Sequence, residues 1–279
     1  MKKYIGILIL AVPAFVACYP IFFLLTGSLM GATELRENLE PVLQGGSGYI
    51  RWRMIPAYPT LRYYVELLLD TPAVFVMFWN SIKMTAGILI GQLLVGVSAA
   101  WGFAKFRFPA KGFLFTLYVI LMMIPFQVRM LSEYLVLDSV QMLNSQWGII
   151  MPAVFSTFPV FIMYRFFEGI PDAMIEAAKI DGANHIQVFV YIGLPLGSSG
   201  IISAMVLGFL EYWNLIEQPL TFLKNQTLWP LSLFLPNIDL EQAGMAFVTS
   251  IVTLLPAVFV FLAGQEHLEQ GIVASGLKG

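Results

Sequence analysis

Six long stretches of this chain carry no charged residue, and nothing else in it constrains the fold so strongly. They run from Tyr4 to Thr33, Met84 to Ala104, Gly112 to Val128, Ser139 to Tyr164, Gly182 to Leu210 and Gln242 to Gln265. Each holds enough apolar sequence to approach the roughly 20 residues with which an α-helix crosses a bilayer. Inside hydrocarbon the backbone groups must pair within the segment, so helices are the expected form. The shortest gap extends past Arg129, whose long side chain can reach back to the interface, and the fifth runs through Glu211. The sequence therefore predicts an all-α polytopic membrane protein with six transmembrane helices, at about 4–29, 79–104, 112–132, 145–166, 196–218 and 243–264.

Composition excludes several other functions. Of 279 residues 58% are hydrophobic and 11% charged, a balance that leaves an ordinary soluble domain too little polar surface. A net charge of −2 offers no basic surface for nucleic acid, and a single cysteine, Cys18, excludes an internal disulfide and a cysteine-built metal centre. The two histidines, His185 and His267, form no HExxH pair, and no acid, base and metal groups gather within a span as a membrane-embedded enzyme requires.

The amino-terminal segment MKKYIGILILAVPAFVAC has the basic front and apolar middle of a secretory signal, with Cys18 placed like a lipoprotein cleavage site. Phe15 is bulky for such a site, and the apolar run continues from Tyr19 through Leu25, which favours an uncleaved first helix. Lys2 and Lys3 before that helix, and Lys105, Arg107 and Lys111 in a short acid-free connection, place these segments and both termini in the cytoplasm of a cell membrane. The loop at 31–78 carries Arg36, Arg51, Arg53 and Arg62 but is longer, and longer loops cross with less regard for charge. Within it Gly45, Gly46, Ser47 and Gly48 mark an irregular stretch, and Thr60 to Asp70 reads as an amphipathic surface helix. No repeat of fixed period and no second soluble domain interrupt residues 1–279, which read as one membrane domain.

One polar interruption stands out, at 168–195. Pro171 suits the first position of a helix, Asp172 puts negative charge at its amino end and Lys179 positive charge near its carboxyl end. Asp181 and Gly182 supply a stop, and Asn184 with Gln187 reads as a capping pair opening a second helix through Ile192 to Pro195. A helix, turn and helix at the cytoplasmic surface follow. Ala177 and Ala178 give the first helix a small-residue surface beside the charge of Glu176, which suits docking of another protein; an ordinary capped connection has the same signals.

The pattern Glu176, Ala177, Ala178, Gly182, Ile192, Leu194, Pro195 resembles the signature of the permease subunits of ATP-binding-cassette importers, and Asp181 and Ala183 look like its carbohydrate, maltose-type branch. The resemblance extends to Asn80 and Ser81, WGFAKFRF from Trp101, MMIPFQV from Met122, FFEGIPDAMIEAAKIDGA from Phe166, Trp213 and Asn214 followed by Pro219 and Leu220, and the terminal GLKG. It implies a type I importer permease fold and one half of a pore completed by a second homologous permease, as a heterodimer. Two cytoplasmic ATPase subunits would bind ATP and Mg, none of it held by this chain, and an extracellular solute-binding protein would deliver a sugar or oligosaccharide. Amino acids, peptides, polyols or phosphorylated polyols are the alternative cargo, and a secondary transporter lacks its two matching interrupted helices here. Glu176, Ala177, Ala178, Asp181 and Gly182 would couple the chain to the ATPases. The tail at 265–279, with Gly276 and Lys278, either reaches between the ATPase subunits or frays. Its Gly271 and Gly276 make no phosphate loop, since Leu277 precedes Lys278 and no Ser or Thr follows.

Glu211, Tyr212, Trp213 and Asn214 form a polar and aromatic group in the fifth span, with Glu217 close behind. A carboxylate in hydrocarbon costs about 2.5 to 3.5 kcal/mol unless it faces a wet cavity or a partner, so these residues are expected on the substrate pathway, or else at the outer interface or against the partner permease.

Overall fold

A computed structural model describes residues 2–43, 55–234 and 241–276, which form helices and connections with no strand. The order opens with α1 (Lys2–Ser28), α2 (Ala32–Leu43) and α3 (Arg62–Val65), which a widened turn over Glu66–Asp70 prolongs, and then α4 (Pro72–Lys105). Next come α5 (Lys111–Met123), α6 (Phe126–Ser139), α7 (Trp147–Val154), α8 (Thr157–Glu168), α9 (Asp172–Ile180) and α10 (His185–Val188). A second widened turn, Phe189–Gly193, leads through α11 (Leu194–Leu196) into α12 (Ser198–Trp213), followed by α13 (Glu217–Phe222) and α14 (Ala243–Gly276).

Among the described residues four helical stretches are long and apolar enough to cross a membrane: Leu10–Ser28, Pro72–Lys105, Trp147–Glu168 and Ala243–Glu269. They become six when each of two bent pairs is taken as one span. The straight helix expected at 112–132 is one of these pairs, with α5 and α6 meeting at 102°. Pro125 forces this break. A residue before proline is driven out of the helical region, and Ile124 sits at φ −76° and ψ 115° while Pro125 has no N–H to give. The fifth helix is likewise shorter than 196–218: it starts at Ser198 after a 68° bend from His185–Leu196 and ends at Trp213. The amide of Asn214 donates to the Leu210 carbonyl at 2.8 Å and satisfies one of the last free acceptors of that helix. At the carboxyl end, α14 continues as helix to Gly276, where the sequence suggested a tail from residue 265.

The chain divides into two compact units, residues 1–76 with 234–256, and residues 77–233 with 257–279. In the first, Met30, Leu35, Leu39, Tyr63 and Leu67 are buried. Tyr63 and Leu67 lie four residues apart, so one helical face carries both inward. The Ser28 hydroxyl meets the Tyr64 hydroxyl at 2.8 Å, the Thr60 N–H donates to the Leu29 carbonyl at 2.8 Å, and the Glu34 carboxylate accepts from the Ala57 N–H at 3.0 Å. Helix begins at Arg62 where the sequence placed it at Thr60; the glycines at 45–48 lie outside the described residues.

The second unit holds two apolar cores along α4. One gathers Met84, Ile88, Phe126, Ile149, Ile150 and Phe222; the other gathers Val97, Trp101, Val160, Met163, Phe167 and Ile175. In sequence Gln92 lies between them, almost fully buried, its amide donating to the Ala153 carbonyl at 2.8 Å and the Tyr212 hydroxyl at 3.0 Å. Side chains such as Ile90, Leu94 and Phe259 remain exposed on these helices, the distribution expected when the surrounding solvent is lipid. Asn80 and Ser81 open the unit: the Asn80 amide donates to the carbonyls of Thr227 and Trp229 at 2.7 and 3.1 Å, and the Ser81 hydroxyl accepts from the Leu231 N–H at 2.8 Å.

Candidate functional site

Two features of the second unit can carry function, an exposed short helix and a cavity. The helix is α9. Pro171 stands immediately before it at φ −60° and ψ 132°, one position earlier than expected, so that Asp172 opens the first turn. Its amino end is tied down by Lys105, the last residue of α4. The Lys105 ammonium, on a side chain only 9% exposed, donates to the Ile170 carbonyl at 2.5 Å and to the Asp172 carboxylate at 2.9 Å. Ile175 fixes the other side by packing into the core that contains Phe167 and Val188.

The hydrogen bond from Lys105, reinforced by its charge, holds the Asp172 carboxyl below its ordinary value. A carboxyl lowered in the folded state contributes above its unfolded value and loses that contribution as pH falls through the folded one. The contact is therefore complete at neutral pH and weakens only in strong acid. Lys105→Met keeps most of the buried stem but removes both bonds. We expect it to loosen α9, read as several-fold faster hydrogen exchange of its amides, while unchanged exchange in that variant would show that α9 does not need this tether.

The carboxyl end of α9 closes by a complete Schellman arrangement. The Ala183 N–H donates to the Ala178 carbonyl at 2.9 Å and the Gly182 N–H to the Lys179 carbonyl at 3.1 Å, with Gly182 at φ +89°. Asn184 and Gln187 then form a reciprocal capping box, both bonds 2.8 Å long, which starts α10. Two closed hydrogen-bond systems on either side of one glycine make this turn stiff. Glu176, Ala177, Asp181 and Gly182 are exposed and Ala178 is half-buried. Ile180 (86% exposed), Ile186 and Tyr191 add apolar surface, and a depression of about 280 Å³ lies between Ala178, Asp181, Gly182, Gln187 and Tyr191.

The cavity, of about 600 Å³, is walled by α5, α6, α7, α8, α12 and α13. Glu211 and Tyr212 line it together with Arg129, Glu133, Ser156, Thr157 and Gln218, and Phe155 and Phe158 supply apolar faces. Trp213 and Asn214 are not brought to it. Trp213 is 1% exposed, stacked on Phe209 with ring centroids 5.5 Å apart and edge-on to Phe78 at 5.9 Å, and Asn214 serves the end of α12. Glu217 lies beside the cavity, where its carboxylate accepts from the Gln127 amide at 2.6 and 2.8 Å. Arg129 and Glu133 form an ion pair of 3.2 Å one turn apart on α6. Sequence reasoning gave Arg129 only the role of an interfacial anchor and missed Glu133. The signal was present in Pro125, which ends the span early and turns α6 toward the cavity. Gly276 lies at the end of α14, and Lys278 lies outside the described residues. Among the described residues no three of His, Cys, Asp and Glu gather to hold a metal ion.

Comparison with known proteins places these features in context. Residues 92–273 match the family model described as binding-protein-dependent transport system inner membrane component. The chain is 27% identical over 274 residues to the arabinooligosaccharides transport system permease protein AraQ of Halalkalibacterium halodurans, covering 95% of this chain and 93% of that one. It is 31% identical over 216 residues to the sn-glycerol-3-phosphate transport system permease protein UgpE of Escherichia coli, covering 71% and 73%. A chain from a bacterial ABC transporter involved in the import of the acidic polysaccharide alginate has the same fold, with a TM-score of 0.78, 19% identity and 95% of each chain covered.

Proposed function

The chain belongs to the binding-protein-dependent transport system inner membrane components, the multi-pass permease subunits of ABC importers, and on that premise we propose that it is one half of a sugar-conducting pore. The other half is a second homologous permease. Two ATPase subunits engage α9 in the cytoplasm, where both termini of this chain also lie, and a solute-binding protein delivers cargo from outside. ATP and Mg belong to the ATPase subunits, so this chain is not itself catalytic.

The observation that carries this reading is the construction of α9. A helix of nine residues is too short to be stable alone, yet this one is anchored at Ile175, tied to Lys105 at its amino end and closed at its carboxyl end. Such an element transmits displacement instead of absorbing it. When ATP draws the ATPase subunits together, the force on Glu176, Ala177, Ala178, Asp181 and Gly182 passes through Ile170 and Lys105 into α4 and α8. The bundle then shifts between inward and outward access by differential contact in the two states.

The cavity supports the cargo class. Carboxylate, guanidinium, hydroxyl and amide groups beside aromatic faces match the hydroxyls and apolar ring faces of a sugar, and the AraQ relative is named for arabinooligosaccharides. Glu211→Ala is expected to reduce uptake several-fold with unchanged assembly; wild-type uptake in that variant would remove Glu211 from the pathway. The whole reading is tested with the purified transporter in nanodiscs. Binding protein loaded with a neutral oligosaccharide should stimulate ATP hydrolysis, whereas stimulation only by an amino acid, peptide or polyol would transfer the cargo to that class.

A further inference from the structure

The walls of the cavity carry one base and two acids, so one base faces two carboxylates and bonds only one of them. Arg129 is ion-paired with Glu133 at 3.2 Å on its own helix and reaches Glu211 only as a longer-range charge. Glu211 faces the same cavity from α12 and makes no hydrogen bond or ion pair among the described residues. The remaining polar lining, Ser156, Thr157, Tyr212 and Gln218, is neutral, and Glu217 just outside is occupied by Gln127. The net charge of the lining is therefore −1. Apolar walls on either side, among them Ile149, Pro152 and Leu215, concentrate that field in the cavity instead of dissipating it in water.

We propose that Glu211 is a charge filter: the cavity admits neutral or cationic solutes and discriminates against carboxylated or phosphorylated ones, independently of what the binding protein retains. This deepens the pore reading and rests on it, since it places the cavity on the solute path. A neutral sugar donates its hydroxyls to the Glu211 carboxylate, whereas an anion is repelled by that carboxylate while Arg129 is bonded to Glu133. Replacing Glu211 by a neutral isostere leaves Arg129 and Glu133 balanced, so the imbalance within the lining itself is carried by one residue.

The potential can be measured without knowing the cargo. In the whole transporter, with Cys18 replaced by serine, a thiol is introduced on one wall as Thr157→Cys or on another as Gln218→Cys. Modification of this chain is followed by mass, using the trimethylammonium-ethyl and the sulfonato-ethyl methanethiosulfonates, each normalised to its rate with a free thiol in solution. At low salt the cationic reagent should react about tenfold faster, the lower end of what such focused fields produce. Adding Glu211→Gln should reduce that ratio at least about threefold at both positions, and high salt should compress it. Equal normalised rates, a ratio unmoved by Glu211→Gln, or no reaction of either thiol overturns the proposal. Stimulation of ATP hydrolysis by loaded binding protein is recorded on the same samples. If it persists while the ratio is unity, only the filter fails; if it is absent before any labelling, the importer reading itself fails.

Discussion

Gly182→Val is expected to abolish most solute uptake while the partner ATPases continue to hydrolyse ATP. The reason lies in the backbone alone. Gly182 sits at φ +89°, and a Cβ built there meets nothing within 4 Å, so a side chain is not excluded by its surroundings. What valine cannot do is hold the left-handed conformation, which costs an L-residue about 1–2 kcal/mol and a β-branched one more. Relief of that strain breaks the bond from Ala183 to Ala178 and the bond from Gly182 to Lys179, and the capping box that follows is displaced with them. A penalty of this size, falling on the docked geometry of α9, corresponds to a factor of roughly 5 to 30 in the population of the coupled state. The measurement is solute moved per ATP in proteoliposomes, with Gly182→Asn as the comparison, because asparagine tolerates the left-handed region and should retain most coupling. Normal coupling in the valine variant would mean that this turn transmits nothing.

The stiffness of that turn was legible in the sequence because its signals are local. Pro171, Asp172, Gly182, Asn184 and Gln187 each act within one helical turn of their own position, and the structure places each within one residue of its expected role. The positions of the apolar helices were legible for a similar reason, since charge-free length is a property of the sequence itself. Their interruptions were less so. Pro125 was visible, but whether a proline kinks a membrane helix or ends it depends on what receives the freed backbone groups, and here the chain turns by 102°.

The cavity divided the expected pathway group because adjacent residues on a helix point about 100° apart. Glu211 and Tyr212 reach the cavity, whereas Trp213 turns into the core against Phe209 and Phe78. A run of four polar and aromatic residues therefore cannot act as one site on a single helix. Nor could the sequence have paired Glu211 with Glu133 and Arg129, which lie about 80 positions earlier and meet it only through the bend at Pro125. The anchoring of α9 by Lys105 was hidden in the same way. Lysine in a basic connection reads as a topological signal, and its buried bond to Ile170 is a tertiary fact.

The contact between α8 and α12, which borders the proposed path from α9 to the cavity, yields the second large effect. Gly200 is buried on α12, and a Cβ there would lie 2.4 Å from Cγ of Phe166 and 2.7 Å from its Cβ. Rotation of the phenylalanine moves the ring away but not the Cβ, which is fixed to the α8 backbone. Even one methyl group therefore has to separate two helices. Overpacking of this kind costs about 1–3 kcal/mol where side chains can yield, and more where the backbone must move. Close approach of membrane helices depends on small residues at their contact, because lipid supplies no hydrophobic force to restore a widened interface. Gly200→Ala should lower the unfolding temperature of the detergent-purified transporter by roughly 5–10 °C, and Gly200→Leu should prevent accumulation of folded protein. The control is Gly102→Ala on α4, where a Cβ meets nothing within 4 Å and the better helix former should leave stability unchanged or raise it by about 0.5–1 kcal/mol. Equal unfolding temperatures for the two alanine variants would separate α8 from α12 in the native packing.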